Sequence, residues 1–445
     1  MDSGARPAPP TVQLSGRAVF CLVFLPFAMG HYLSSLMRTV NATLAPQLVA
    51  ALALDSGQLG LLTSAFFFSF ALVQLPVGIA LDRYGPRKVQ LVMLTVAAVG
   101  ALAFAGGQDF VQLMCARFVI GLGLGGCFMS AVKAISTWIA PARLPSVHGC
   151  LIAVGGLGAA SATLPVRLAL HYTDWRGLFM ALAVAALAIG ALIYVLAPTG
   201  MPAPRAACAT APPGAAGAAR APFTWQAVLD IYRNRAFRET ATLVLIPHMV
   251  FFGIQGLWIG RWLTDVARFS EAAVAYLLYL GMAAIILGAI GVGMVTEWAV
   301  RRGIAPIRVA AVGIALFIAV QLGFVFDYAP SYRMLAVLFT LVGTITGIEY
   351  AIVAQTMPPA LTGRAATCLN LLIFLGAFAV QAGFGQIVGC WRPSLLHQYP
   401  ATAYQVAFGV LVALQLPGLA GYLWRQRASR RRSGKMDLPS GSPAL

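Results

Sequence analysis

Charge is what this sequence has least of. Only 10% of its 445 residues are Asp, Glu, Lys or Arg, and Asp and Glu together number 13. A soluble globular chain carries about 25% charged residues, so a soluble domain is excluded. Paired cysteines are absent too. Cys21, Cys115, Cys127, Cys150, Cys208, Cys368 and Cys390 form no Cys-x-x-Cys spacing, and most lie in or beside apolar runs. They read as small packing residues kept reduced. No zinc spacing, nucleophile elbow or Walker lysine is present, which argues against a metalloenzyme, a hydrolase or an ATP-driven pump. No metal and no cofactor are expected. A sensor usually adds a soluble domain, and no stretch between the apolar runs is long enough to form one.

What fills the chain is hydrophobic sequence: 60% of it, with a mean hydropathy of +0.83. The net charge of +17 does not point to nucleic acid, because the basic residues sit in short turns between apolar runs. A span needs roughly 20 apolar residues. Runs of that order fall near 18–45, 57–80, 89–107, 110–138, 147–170 and 176–197, then near 240–263, 272–298, 306–326, 332–356, 365–389 and 403–424. The expected fold is therefore an all-α integral membrane protein of twelve transmembrane helices in two pseudo-symmetric six-helix bundles. The bundles occupy 18–197 and 238–424. A tail at 1–17, a linker at 198–237 and a basic tail at 425–445 complete the chain. The linker from Thr224 onward is amphipathic and is expected along the membrane surface.

The stretch Gly78–Lys88 orients these spans. Asp82, Arg83, Arg87 and Lys88 stand between two apolar runs and must form a tight turn at a membrane face. Turns in phase with it hold Arg143, Arg205 through Arg238, Arg301, Arg302, Arg308 and Arg364, and the C-terminal tail adds more. The alternate turns hold only Arg176, Arg268, Arg333 and Arg392. This bias places the turn and both termini in the cytoplasm. The two halves also echo each other. Arg17 and Pro26 recur as Arg238 and Pro247, and Gly78-x-x-x-Asp82 recurs as Gly293-x-x-x-Glu297. Internal repeats of this kind mark transporters that rock one half against the other.

Six plus six spans, a central linker, and Gly78-x-x-x-Asp82-Arg83-x-Gly85-x-Arg87-Lys88 between spans 2 and 3 closely resemble the major facilitator superfamily. The likeness covers nearly the whole chain. Arg117 followed by Gly121, Gly123 and Gly125 in span 4 resembles a second motif of that family. Two departures stand out: Pro86 replaces a usual basic residue, and Gly155, Gly156 and Gly158 in span 5 lack the Gly-Pro pair of drug/proton antiporters. The segment His31-Tyr32, Arg38-Thr39-Val40-Asn41 and Pro46 is similar to the first span of the organic-anion and phosphate-ester branches. The resemblance implies that Arg38 faces the substrate, and that Arg117 serves helix packing or gating. It also implies that Gly78 allows close helix approach and that Asp82 faces the N-terminus of span 11 near Gly363–Thr367, with Arg83 and Arg87 holding the turn.

A charge at mid-membrane costs roughly 3 kcal/mol or more, so each one is a functional suspect. Arg38, Arg117, Lys133, Arg167 and Arg261 stand against the single deep carboxylate Glu349. The excess makes an interior that favours an anion. Arg38 is the sharpest candidate, since a guanidinium binds carboxylate or phosphate in bidentate fashion. Arg167 and Arg261, near outer ends, read as interfacial; Lys133 divides between substrate contact and reaching the surface. Glu349 either pairs with an Arg as a gate or binds a proton, and His31 and His248 are further proton candidates. Tyr32, Asn41, Gln255, Trp258 and Asn370 are candidate cavity residues, and Gln381 a weaker one. Gly121-x-Gly123-x-Gly125-Gly126 suggests a nucleotide loop by pattern alone; in a membrane helix it signals close packing.

The leading expectation is a monomeric secondary transporter of a small organic anion, carboxylate- or phosphate-bearing, in a bacterial inner membrane. It would work by alternating access, with proton coupling or exchange, and not as an enzyme. The alternative is a proton-driven exporter of drugs or metabolites such as siderophores.

Overall fold

The computed structural model describes residues 11–12, 15–139, 144–198, 201–202, 225–356, 359–394 and 398–436. Within them stand 12 helices long and apolar enough to cross a membrane. The first six are Gly16–Thr39, Ser56–Leu81, Arg83–Gly106, Phe110–Trp138, Gly149–Ala169 and Trp175–Leu196. The second six are Phe237–Gln255, Glu271–Arg301, Pro306–Phe326, Ala329–Tyr350, Thr367–Val388 and Ala401–Arg427. They are spans 1 to 12 here, and each overlaps the apolar run that predicted it. Among the described residues the only strands are Thr11–Val12 and Met201–Pro202, which pair in parallel.

The charged turn is tighter than its sequence suggests. Helical hydrogen bonding runs from Ser56 to Gly106, and Gly85 alone departs from it (φ 76°, ψ 164°). That backbone region is open only to glycine. Gly303 repeats the device after span 8 with φ 75°. The turn is pinned to span 6: the Arg87 guanidinium lies 4.4 Å from the Tyr194 ring centre, and its Nε donates to the Tyr194 carbonyl. Arg83 lies over Tyr84 at 5.2 Å. Gly78 was expected to admit a close helix in the state that opens outward. A Cβ there would meet nothing within 4 Å, so no helix approaches it in this conformation. The side chain of Asp82, and with it the expected meeting with span 11, falls outside the described residues.

Close approach occurs instead along span 4. A Cβ on Gly123 would stand 2.2 Å from the Ala97 amide nitrogen of span 3, which is the packing role expected of that glycine row. The amphipathic linker segment forms a helix, Trp225–Arg233. It does not simply lie on the membrane: Ile231 is buried with Phe237, Val353, Ala365 and Cys368 under the second half. Span 12 runs on without a break, so the helix Ala401–Met436 carries the basic tail outward.

Among the described residues, the contacts between the halves gather on one side. Ser56 at the start of span 2 donates from its N–H to the Tyr399 hydroxyl (3.1 Å) and from Oγ to the Gly385 carbonyl (3.0 Å). Phe70 packs on Phe374 at 4.4 Å, about halfway down span 2. Among the described residues, the hydrogen bonds, ion pairs and ring contacts between halves fall from this level up to the Ser56 end. Among the described residues, the halves are closed on the Ser56 face.

Candidate substrate and coupling site

Breaks in the helices locate the site. Span 1 is interrupted at Val40, span 4 at Gly125–Gly126 and span 7 at Gly256–Leu257, while span 10 passes through a 3-10 turn at Thr344–Gly347. Span 5 breaks as well, at Ala162–Thr163 ahead of Pro165. The first four are the leading spans of successive three-span groups. Irregular backbone at membrane depth is tolerated only where protein or a water-filled cavity surrounds it, so these spans line the interior.

Arg38 sits two residues before the break in span 1. It is half-buried, and its guanidinium lies 5.3 Å from the ring centre of Phe252 in span 7. No carboxylate among the described residues pairs with it. Its backbone is held from behind by Arg117, which is fully buried. Arg117 donates to the carbonyls of Met37 (2.7 Å) and Arg38 (3.1 Å) and lies over the Phe66 ring at 5.0 Å. Arg117 therefore braces the last turn before the break.

Phe252 is shared by both halves. The His248 ring, one turn earlier, stacks on it at 5.1 Å and 21°. His248 Nδ1 in turn lies 2.7 Å from Glu349 Oε1 of span 10. Both are buried, at 5% and 0% side-chain exposure. Glu349 Oε2 has no hydrogen-bond partner among the described residues. Sequence left Glu349 between an Arg partner and a proton; its hydrogen-bond partner in the structure is a histidine. Tyr350 stands edge-on to His248 at 6.2 Å, and its hydroxyl donates to Asn370 Oδ1. Arg38, Phe252, His248, Glu349, Tyr350 and Asn370 thus come together from both halves.

Other candidates are placed elsewhere. His31 packs on Phe128 at 5.0 Å, and Gly155 lies so close that a Cβ there would be 2.3 Å from its Nε2. Tyr32 donates to Ser161 Oγ at 2.6 Å. Asn41 is fully buried and reaches Thr63 at 3.5 Å. Gln255 points at Met282 Sδ, 3.6 Å away. Trp258 is fully buried in the closed seam, where its Nε1 donates to the Gln381 carbonyl (3.0 Å) and its ring packs on Phe384. The Gln381 amide is buried with neither atom bonded. Lys133 donates to the Leu81 carbonyl at the end of span 2 (2.7 Å).

Sequence reading did not anticipate Asp265. It accepts from Arg261 (3.2 Å), the Tyr404 hydroxyl (2.7 Å) and the Tyr399 amide (3.4 Å). Arg261, expected at an interface with lipid, is buried in this knot. Arg167 is engaged too, with Glu271 of span 8 at 2.7 Å. The i, i+4 spacing of Arg261 and Asp265 was the available signal.

A family model described as Major Facilitator Superfamily matches residues 27–381. The chain is 28% identical over 169 residues to a probable sulfoacetate transporter of Cupriavidus necator, covering 38% of each protein. It is 26% identical over 325 residues to a probable L-galactonate transporter of Escherichia coli, covering 68% of each. Against a hexuronate transporter of Bacillus subtilis the identity is 29%, over 36% of this chain and 37% of that one. The chain thus aligns with well under half the length of two of these three relatives. Among solved structures, a bacterial homolog of the human lysosomal transporter Spinster, inward-facing and unoccupied, shares the fold. Its TM-score is 0.74 at 16% identity, over 97% of this chain and 100% of that one.

Proposed function

The chain belongs to the Major Facilitator Superfamily, and on that footing we propose that it is a secondary transporter of a small organic anion. The carboxylate, sulfonate or phosphate group binds Arg38, and the two halves rock about it. The observation that carries this reading is Arg38: Arg117 holds its backbone carbonyl, and its guanidinium is unpaired among the described residues and set against Phe252 of the opposite half. A charge left without a carboxylate at this depth is costly unless a ligand supplies one. The substrates that the relatives are named for, sulfoacetate, L-galactonate and hexuronate, are all small organic anions.

The basic turn faces the cytoplasm of a bacterial inner membrane by the positive-inside rule. The Ser56 seam is then the outer gate, and the conformation is inward-open. An exporter of apolar drugs would gain nothing from an unpaired guanidinium at mid-membrane.

Uptake of labelled sulfoacetate, galactonate and glucuronate into proteoliposomes tests the reading. A charge-assisted hydrogen bond is worth about 1.5–3 kcal/mol, so Arg38→Ala should weaken binding about 10- to 100-fold, with Arg38→Lys in between. Equal uptake by wild type and Arg38→Ala would remove Arg38 from the site.

A further inference from the structure

We propose that the first half carries a second ligand site: a cavity beside the Gly85 turn that takes the headgroup of an anionic phospholipid. The site stands apart from the anion-transport reading. Every residue lining it belongs to spans 1, 3, 4 or 6, to the Gly85 turn or to the residues directly after span 6, so it does not lie between the halves.

The cavity measures about 340 Å³. Sites for small ligands run from about 300 to 1,000 Å³, so this one has room for a headgroup and its glycerol but not for acyl chains. Its inner wall is apolar, with Phe27 of span 1 and Trp138 of span 4 both buried. Its other wall is basic, formed by Arg87 and Lys88. Arg87 is already oriented. Its Nε donates to the Tyr194 carbonyl, and its guanidinium lies over the Tyr194 ring at 4.4 Å. The two terminal nitrogens are left as a planar fork with no acceptor among the described residues, and Lys88 has none there either. Such a fork matches phosphate in bidentate fashion, and a neighbouring ammonium adds a point charge. No described residue lining the cavity is acidic, so two adjacent cations stand unanswered.

Place selects a lipid over a soluble phosphate. The turn is where the chain leaves the bilayer between spans 2 and 3, so a phosphate on Arg87 sits at headgroup depth. Tyr84 and Tyr194 line the cavity and are exposed, as is Val195 next to them. Acyl chains leaving the glycerol therefore have apolar surface to follow, and tyrosines settle at this level of a membrane. Basic pockets between membrane helices hold anionic headgroups in this way, and anionic lipid is concentrated at the leaflet surface. A soluble phosphate would use the two cations and gain nothing from the apolar surface. A bound headgroup also ties the start of span 3 to the end of span 6 more firmly than the Arg87–Tyr194 contact alone, so it should stabilise the fold.

Native mass spectrometry of the detergent-purified full chain tests this. The probes are dioleoyl phosphatidylglycerol, dioleoyl phosphatidylcholine and glycerol 3-phosphate. Arg87→Gln with Lys88→Gln removes both charges. Thr137→Trp fills the cavity from an exposed lining position and leaves both charges in place. Wild type should retain one phosphatidylglycerol at least about tenfold more tightly than phosphatidylcholine. Each basic residue near the surface contributes about fivefold, so the double variant should lose at least about tenfold, and Thr137→Trp should lose as much. Phosphatidylglycerol should raise the unfolding temperature of wild type and not of either variant. If the double variant is not recovered folded, Lys88→Gln alone, at an exposed position, should bind about fivefold more weakly. Equal retention of phosphatidylglycerol by wild type and Thr137→Trp would reduce the effect to surface charge and overturn the cavity. Equal retention of the two lipids overturns the selectivity for an anion. Glycerol 3-phosphate held as tightly as phosphatidylglycerol overturns the lipid in favour of a soluble phosphate ester.

Discussion

Arg167 of span 5 donates to Glu271 of span 8 at 2.7 Å, across the two halves and on the closed face. The pair is half open to water, with 25% and 62% side-chain exposure. Exposed ion pairs contribute only about 0.2–1 kcal/mol. Glu271→Gln should therefore shift the population toward an open Ser56 face by no more than about fivefold. Distances between spin labels at the Ser56 end of span 2 and the Val388 end of span 11 measure this directly, and raised salt should mimic the substitution.

The Ser56 clamp and the Asp265 knot behind it are buried and matter more. Tyr399 joins them, accepting from the Ser56 amide by its hydroxyl and donating to Asp265 by its own amide. Tyr399→Phe removes one hydrogen bond and should cost about 1 kcal/mol. Asp265→Ala strips one acceptor from three donors, one of them a buried guanidinium, and should cost about 3 kcal/mol or more. Thermal unfolding of the purified variants should rank them in that order below wild type.

Arg117 serves Arg38 through the backbone, and Arg117→Lys tests this. An ammonium is compact and lacks the planar fork that reaches two carbonyls. The expected result is a lower unfolding temperature together with weaker anion binding, although Arg117 itself is not placed on the substrate. Normal binding in a destabilised Arg117→Lys protein would limit the residue to packing.

Two glycines give opposite outcomes to a third, because of geometry alone. Gly85→Ala places a Cβ at φ 76°, which costs on the order of 1–3 kcal/mol. Gly123→Val drives side-chain atoms into the span 3 backbone and should prevent recovery of folded protein. Gly78→Ala meets open space in this state, so it should leave stability unchanged. Any transport defect in Gly78→Ala would then report on the opposite conformation, in which the Gly85 face closes.

Much of the frame was legible in the sequence because a bilayer enforces it locally. A run of apolar residues must become a helix, since no water is present to satisfy its backbone. That rule gave the positions of the twelve spans; the charges of Gly78–Lys88 marked a turn between spans 2 and 3, and the glycine row Gly121–Gly126 marked close packing. Mid-membrane charge likewise singled out Arg38, Arg117 and Glu349. Charge in a span does not say which neighbour answers it. Glu349 and His248 are 101 residues apart, and nothing in the local pattern joins them. Trp258 and Gln255 read as cavity residues by type, yet Trp258 is sealed in the seam.

The sequence by itself determined the helical membrane architecture and the repeat of two halves, because length, hydropathy and charge act within a span. Only the tertiary structure decided that a histidine faces Glu349, that Phe252 joins it to Arg38, and that the Ser56 face is the one closed. Those depend on how distant helices pack, and in a bilayer packing is chosen by shape and buried hydrogen bonds between spans, which no single segment encodes.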